Sequence, residues 1–592
     1  MKKRYLALVC ALATALAGCG KQAAPIPEQN TTGDGATESV SVAEAPAATE
    51  DATTESSDSS ETLASTEDST DAVTYSVLQS SHPIYKVITK YYHETYNGKY
   101  SKDKEGNSLE NKTLFTGKYQ ALMLTESCRN SYPALFKALE EKAAASIKAS
   151  EENASSNALS AKEELENSME TDYPFLGTYY DNNTVSVSRA DDSILSVCNY
   201  YENYTGGAHG MYGLLGENYD VETGALLNLS DVITMTEEEL NPILKEKVLK
   251  TAEDPDQFWD LDEAFSHYKY SAKENDPEDY ENYEYNYDWY LDNEGIHFYF
   301  APYAIAAYAY GATDVVISYD ELKGQMNEKY LPAENKGYIT EAHLPMYPAQ
   351  YDDNTSDLHL VYEPYDETDT SDYITCKSLA LKLKDKSAQV AIDFDFNYTN
   401  NPINSYRVVT ADGREYIYVT VLTYSDYTEF LVFDASGKNI KLIGQDYFHM
   451  VYVDSNTEYT GELVLTDPEN MYFGQIGNKL GTYTCFGRYI VGANGMPMLA
   501  DTSLTITWIS DEIKSVQDIS VTRIDEKGYE QDVETLPAGT HVRPIRTDSK
   551  TYMDCVLDDG SFVRLKFSSR EYPAMIDGIS VDDLFEGLQY AG

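Results

Sequence analysis

From residue 20 to about residue 74 the chain is written almost wholly in Ser, Thr, Ala, Glu and Asp, with hardly a large apolar side chain. A stretch like this cannot bury enough apolar surface to offset the conformational entropy of ordering it, so it is expected to stay a disordered acidic stalk. As a coil it would span roughly 40 Å root-mean-square, further with charge repulsion. Apolar and aromatic content rises abruptly at Tyr75, so every core has to be built from the residues beyond that point. In a chain of 592 residues that remainder is too long for one core, at a prior of ~100–200 residues per domain. Changes of pattern predict folded units at 75–330, 335–510 and 515–592.

Upstream of the stalk, Lys2, Lys3 and Arg4 precede a short apolar run from Tyr5 to Leu16. That run is too short to span a bilayer and has the charge order of a signal peptide, expected over residues 1–18. It ends in Leu16-Ala17-Gly18-Cys19, which resembles a bacterial lipobox. The resemblance implies that Cys19 is diacylated and becomes the mature N-terminus, anchoring the protein to the outer face of the bacterial cell membrane. No later apolar run reaches the ~18 residues that a spanning helix needs, so the lipid is the expected membrane attachment.

The formal charge is −55, from 99 acidic against 44 basic residues. Nucleic acid and bare anionic lipid are therefore excluded as expected partners, because phosphate binding needs clustered Lys and Arg; cationic partners are favoured. Tyrosine dominates the aromatics, 52 against 17 Phe and 3 Trp, and its apolar ring with a polar tip suits half-buried strands and wet recognition surfaces. The cysteines are Cys10, Cys19, Cys128, Cys198, Cys376, Cys485 and Cys555, with no C-x-x-C pair and no zinc or redox spacing. Five remain after processing at Cys19, an odd number, so a disulfide framework is not expected.

Within 75–330, Tyr75 to Leu78, Ile84 to Ile88 and Tyr119 to Thr125 read as strands. Ser131-Tyr132-Pro133 opens a helix with Leu135, Leu139, Ala143 and Ile147 along one stripe, and its polar remainder through Asn167 is expected to extend into solvent. Thr184 to Ser188 and Ile194 to Val197 alternate as neighbouring strands around Ala190-Asp191-Asp192. The second of them runs into Tyr204-Thr205-Gly206-Gly207-Ala208-His209-Gly210. Three glycines around one histidine predict a tight backbone path that presents or packs the imidazole. The preferred reading of His209 is a hydrogen-bonded core or turn residue, since no local spacing supplies a metal or catalytic partner. Asp220-Val221-Glu222-Thr223-Gly224 predicts a hairpin turn between Tyr219 and Leu226. A helix is placed from Asn241-Pro242 to about Lys250, because a start at Thr236 would leave Pro242 inside it at about 3 kcal/mol.

The run Tyr204 to Gly210, followed by Asn218-Tyr219-Asp220, Thr223-Gly224 and Leu229-Ser230-Asp231-Val232, resembles the extracellular domain of RsiV-type anti-sigma factors, which sense lysozyme; a similar domain accompanies PdaC-type peptidoglycan deacetylases. Gly295-Ile296-His297-Phe298-Tyr299-Phe300, Pro302-Tyr303, Ala304-Ile305, Tyr310-Gly311 and Val315-Val316-Ile317-Ser318-Tyr319 add to the likeness, which covers about 75 to 330. Gly206, Gly207, His209 and Gly210 serve as its signature. The resemblance implies an α+β domain, an antiparallel sheet with packed helices, and an aromatic plug for a lysozyme cleft, for which Pro302 and Tyr303 are the candidates.

Between these pieces, Asp276 to Tyr290 interleaves aromatics with carboxylates. Tyr283, Tyr285, Tyr287 and Trp289 are candidate ligand-binding residues that could clasp a cationic surface. The favoured alternative is a hairpin whose tyrosine face packs inward, as strict alternation ordinarily signals.

The remainder reads almost wholly as strands. Glu415 to Leu422 follows Asp412-Gly413, and Phe430 to Phe433 precedes Ser436-Gly437, as in a propeller or a sandwich; no fixed-period repeat supports the propeller. From Ser515, short strands at Ile519 to Ile524, Thr540 to Ile545, Tyr552 to Leu557 and Phe562 to Phe567 predict an SH3-like barrel, followed by a strand and a short helix at the tail.

The chain lacks H-E-x-x-H, a Gly-x-Ser-x-Gly elbow, a Walker loop and a dinucleotide fingerprint. Asp393-Phe394-Asp395-Phe396-Asn397 lacks the glycine of an EF-hand, so neither metal nor cofactor is expected. The leading expectation is a lipid-anchored surface protein that binds, without catalysis, a basic macromolecule such as lysozyme. Sequestration at the surface fits better than transcriptional signalling. An envelope glycan-binding module for peptidoglycan is the alternative, and a cell-wall hydrolase a further one.

Overall fold

The structure is a computed structural model that describes residues 83–592 apart from 253–254, 276–281, 343, 350–357, 365–372, 384–385, 392–394, 398–403, 423–427, 451, 455–459, 511, 570–572 and 591–592. The signal peptide, Cys19, the stalk, the strand expected at Tyr75 and residues 393–394 lie outside the described residues. Lys273–Glu284 belongs with Met1–Asp71 to a unit of its own. Its described part is closed on itself: the Glu284 N–H donates to Asn275 Oδ1 at 2.8 Å and the Asn275 amide returns a bond to the Glu284 carbonyl at 2.8 Å. The other unit, Ala72–Ala272 with Tyr285–Gly592, holds the sheets and the long helices. No helix among the described residues is long and apolar enough to cross a membrane.

The N-terminal region is α+β. Its strands are β1 (Tyr85–Thr95), β2 (Thr113–Leu124), β3 (Tyr179–Ala190), β4 (Ile194–Tyr204) and β5 (Met211–Asp220), paired in that order. β2 and β3 are parallel, joined by the long helix α1 (Pro133–Glu170); the other pairs are antiparallel. The period-two alternation decides which face is core. Val185, Val187, Leu195 and Val197 meet Leu135, Phe136 and Leu139 of α1, while Ser186, Ser196, Cys198 and Tyr200 fall on the opposite face.

Two readings of the helices are corrected. The second half of α1 does not project into solvent: Ala154, Ala161 and Leu165 are buried against Leu114, Phe115 and Tyr179. Alanines let the helix approach the sheet closely, and their weak hydrophobic signal hid the stripe. The second long helix, α2 (Glu237–Thr251), starts at the Thr236 cap and not at Asn241, so Pro242 lies inside it. Pro242 forfeits one bond near the start. The Thr236–Glu239 capping box, three acidic first-turn residues and burial of Leu240, Leu244 and Val248 offset that loss.

A three-stranded sheet of Asp288–Leu291, Gly295–Phe300 and Thr313–Ser318 packs on α2. Asp288–Leu291 is stitched to the sheet face opposite α1. Ser196 Oγ donates to Asn218 Oδ1 at 2.7 Å, Asn218 Nδ2 donates to the Trp289 carbonyl at 3.1 Å, and the Leu291 N–H donates to Ser196 Oγ at 2.9 Å. At the crossing a Cβ on Gly216 would sit 1.9 Å from the Trp289 carbonyl oxygen. Gly216→Ala is therefore expected to force the layers apart and lower stability by about 2 kcal/mol, read as a lower urea midpoint; an unchanged midpoint would show that the crossing yields freely.

The C-terminal region is layered sheets. Tyr338–Glu341, Asn404–Val409, Glu415–Leu422, Thr428–Asp434 and Lys441–Asp446 form a central sheet buried on both faces. Ile417, Val419 and Val421 pack toward Leu360, Leu379 and Leu381 of a neighbouring sheet. Tyr416, Tyr418 and Phe430 pack toward Phe473, Tyr483 and Tyr489 of another. Stacked sheets are the sandwich arrangement; the propeller is not found among the described residues. No closed SH3-like barrel appears there either. The predicted strands exist as Ile519–Ile524, Val542–Thr547, Tyr552–Leu557 and Phe562–Lys566, but Leu504–Trp508 pairs with Val542–Thr547 and merges them into a ten-stranded sheet. Thr460–Val464 also returns to pair with β1, covering an edge that would otherwise be open. The five cysteines Cys128, Cys198, Cys376, Cys485 and Cys555 are buried thiols, none of them in a disulfide.

Candidate functional site

The Gly-rich stretch forms the tip of the hairpin between β4 and β5. Gly206 and Gly207 take φ of 95° and 94°, which L side chains rarely adopt. A Cβ on Gly210 would lie 2.5 Å from the Asn203 carbonyl. This path throws His209 outward, so it is an exposed turn residue and not a core one. Its Nδ1 lies 2.9 Å from the Gly210 carbonyl; a carbonyl only accepts, so Nδ1 carries the proton. In the neutral ring Nε2 then accepts from the Tyr303 hydroxyl at 3.1 Å.

Tyr303 comes from a loop 94 residues away. Pro302 is buried beneath it, and Tyr303 itself is 45% exposed at φ 72°. A bulky L residue in that region costs about 1–3 kcal/mol and persists only where its surroundings hold it. Tyr308 stacks on His209 with ring centroids 3.8 Å apart and planes 21° from parallel. Tyr303 is 5.5 Å from Tyr308, and Tyr212 meets Tyr308 edge-on at 6.1 Å. Burial raises the Tyr308 phenol above its ordinary value, with Tyr212, Tyr180 and Tyr303 adding to the effect. The result is a surface cluster of flat rings, fit to stack on apolar, sugar or cationic surfaces.

His209 and Tyr303, read from the sequence for different reasons, are thus brought together. Tyr308 and Tyr212 were missed as site residues; their signal was a tyrosine just after the Gly-rich motif and another in the Pro302 loop. The alternating aromatic run does not join them. Tyr287 and Trp289 are 6% and 7% exposed and belong to the core over α2, where the Tyr287 hydroxyl donates to Asn241 Oδ1 at 2.5 Å. They have no surface to offer a ligand, because the inward face of an alternating strand is its core face. Tyr285 is exposed on a two-residue strand paired with Tyr268–Lys269, and Tyr283 falls in the separately described segment. Asp220 serves the turn. Its carboxylate accepts from the Thr223 N–H and hydroxyl and from the Tyr330 hydroxyl, and pairs with Lys329 at 2.5 Å. Burial alone would raise its pKa; these partners, Lys329 first, hold it down at about 2. Among the described residues no three His, Cys, Asp or Glu side chains cluster to hold a metal ion.

Two family models match the chain. Residues 118–212 match the one described as deacetylase PdaC, and residues 230–320 match a family of proteins of unknown function, DUF3298. The aromatic cluster straddles them, with His209 and Tyr212 in the first segment and Tyr303 and Tyr308 in the second. Among solved structures, a DUF3298 family member from Bacteroides fragilis NCTC 9343 is 19% identical over 41% of this chain and 94% of its own, at a TM-score of 0.29. A DUF3298 family protein from Pseudomonas aeruginosa PAO1 is 18% identical over 43% of this chain and 99% of its own, at 0.26. No curated protein matches.

Proposed function

We propose that the protein is a lipid-anchored cell-surface receptor that binds a basic, cell-wall-directed protein such as lysozyme without catalysis. The His209–Tyr303–Tyr308 cluster carries this reading, because a strained, exposed Tyr303 gathered with an exposed His209 from two distant loops is costly unless they meet a partner. The charge of −55 would steer a cationic partner and speed encounter at low salt. The likeness to RsiV-type lysozyme sensors supports the choice of ligand.

The test is capture of lysozyme by the purified full-length protein at low and high salt, beside Tyr303→Gly and His209→Ala variants. Glycine suits φ 72°, so Tyr303→Gly relieves strain and should fold while removing the plug. Capture weakened about tenfold or more in both variants is expected. Equal capture by all three, or none at low salt, would sink the reading. The PdaC match favours a second ligand, peptidoglycan, with the tyrosines stacking on sugars; purified peptidoglycan in the same assay separates the two. Release of acetate or sugar by the protein would turn that second reading into an enzymatic one.

A further inference from the structure

On the face of the sheet opposite α1 lies a second feature, independent of the aromatic cluster. A cavity of about 160 Å³ is lined by Ser186 and Ser188 of β3, Tyr200 of β4, Tyr290, and Tyr338 and Glu341 of the first central-sheet strand. A void of about 150 Å³ is enough to hold benzene, so a molecule of six or seven heavy atoms fits.

The charged groups around it are committed, with one exception. Arg407 donates through Nη1 to Glu294 at 3.0 Å and through Nε to Glu415 at 2.8 Å. Asp292 accepts from the N–H groups of Glu294 and Gly295 at 2.7 and 2.9 Å, and its other oxygen lies 3.1 Å from His297 Nε2. On its far side His297 meets Asp314 at 3.1 Å, while Tyr290 stacks on the His297 ring at 4.5 Å and donates to Asp314 at 2.6 Å. The Glu341 carboxyl makes no hydrogen bond or ion pair with any described residue. Lys118 acts on it only through space, and the protein around it pushes it up to about 7. Glu341 is half-buried, and a carboxyl in the wall of a cavity with no partner to offset its charge is costly unless something supplies the missing charge.

We propose that this cavity binds a small organic ammonium ion, its charge met by Glu341 and its methyl or methylene groups by the rings of Tyr200, Tyr290 and Tyr338. Three phenol rings and one free carboxylate are the chemistry that recognises quaternary or primary ammonium groups. The serine hydroxyls of β3 suit a ligand that also carries a hydroxyl. Ser188 already donates to the Leu291 carbonyl at 2.7 Å and lies 3.0 Å from Ser196 Oγ, so a ligand hydroxyl would meet it as an acceptor.

The experiment is calorimetric titration of the full-length protein with choline and with its neutral isostere 3,3-dimethyl-1-butanol. Saturable choline binding, about tenfold or more tighter than the isostere, is expected, with loss of about tenfold or more in Glu341→Gln. Glu341→Gln is isosteric and removes a half-buried charge, so it should fold, and unchanged circular dichroism verifies that. Tyr303→Gly should bind choline like the wild type, which separates this site from the surface cluster. Equal affinity for the two probes, unaltered binding in Glu341→Gln, loss of binding in Tyr303→Gly, no saturable choline binding, or Ca²⁺ binding in place of choline would each overturn the assignment.

Discussion

Arg189→Met should destabilise the protein by about 3–5 kcal/mol, the loss expected when one partner of a buried charged network is removed. Arg189 is only 1% exposed. Its guanidinium holds Asp191 through Nε at 2.8 Å and Nη2 at 2.6 Å, the Tyr319 hydroxyl at 2.7 Å and the Tyr330 carbonyl at 2.8 Å. Tyr319 in turn donates to the Asp292 carbonyl at 2.6 Å. Methionine fills a similar volume but offers none of these bonds. It would leave Asp191 with only the N–H groups of Ser193 and Ile194 and the Ser193 hydroxyl. The change should appear as a large fall in urea midpoint followed by circular dichroism. A shift below about 1 kcal/mol would show that the network is already wet. Because Arg189 ties β3 to the segment after Thr313–Ser318, the same variant should loosen the relation between the hairpin tip and the Pro302 loop.

Glu341→Gln should act in the opposite sense, raising stability at neutral pH by up to about 3 kcal/mol. Burial raises the Glu341 carboxyl from 4.5 to about 7, against a smaller opposing pull from Lys118. A carboxyl that binds its proton more tightly in the folded state favours folding while protonated. Its penalty is absent below about pH 4.5, grows as the pH rises toward 7, and is complete above that. Asp288, pushed to about 7 by burial alone, contributes in the same direction. Asp220, held at about 2, works the other way: its contribution is present above about pH 4 and is lost as the pH falls toward 2. Unfolding measured from about pH 4.5 to 8 should therefore show wild-type stability declining with pH and a shallower decline in Glu341→Gln. Identical slopes would mean that water in the cavity solvates the carboxylate. A site that weakens the empty protein and becomes useful only when filled is a common mark of ligand binding.

Strand and turn signals are legible where apolar and polar side chains alternate, even where, as at Ser186 and Ser196, the polar face is buried as well. Val185 and Val187 against Ser186, and the Asp220 to Gly224 turn, could be read directly. The α2 start could not, because the cost of Pro242 was visible in sequence while Leu240, Leu244 and Val248 packing beneath it was not. Tyr287 and Trp289 show the converse. The favoured inward-packing reading of the alternating run holds for both, since their face of the strand meets the core over α2, and the clasp reading fails for them. The four strands expected after Ser515 are present, while Glu530–Leu536 and Leu504–Trp508 go unread, and spacing is silent on the pairing of Leu504–Trp508 with Val542–Thr547 that opens the expected barrel into a larger sheet.

The sequence by itself determined where folding can begin, that the surface is acidic, that strands dominate, and that Gly206, Gly207 and Gly210 shape one particular turn. These are local properties, set by composition, by φ and by the period of side-chain alternation. Only the tertiary structure decided that His209 meets Tyr303 and Tyr308, that Arg189 is sealed among Asp191, Tyr319 and Tyr330, and that Glu341 faces a cavity without a hydrogen-bond or ion-pair partner among the described residues. Each of these depends on segments far apart in the chain arriving at one place, and a one-residue change of register would send any of those side chains to the other face of its sheet.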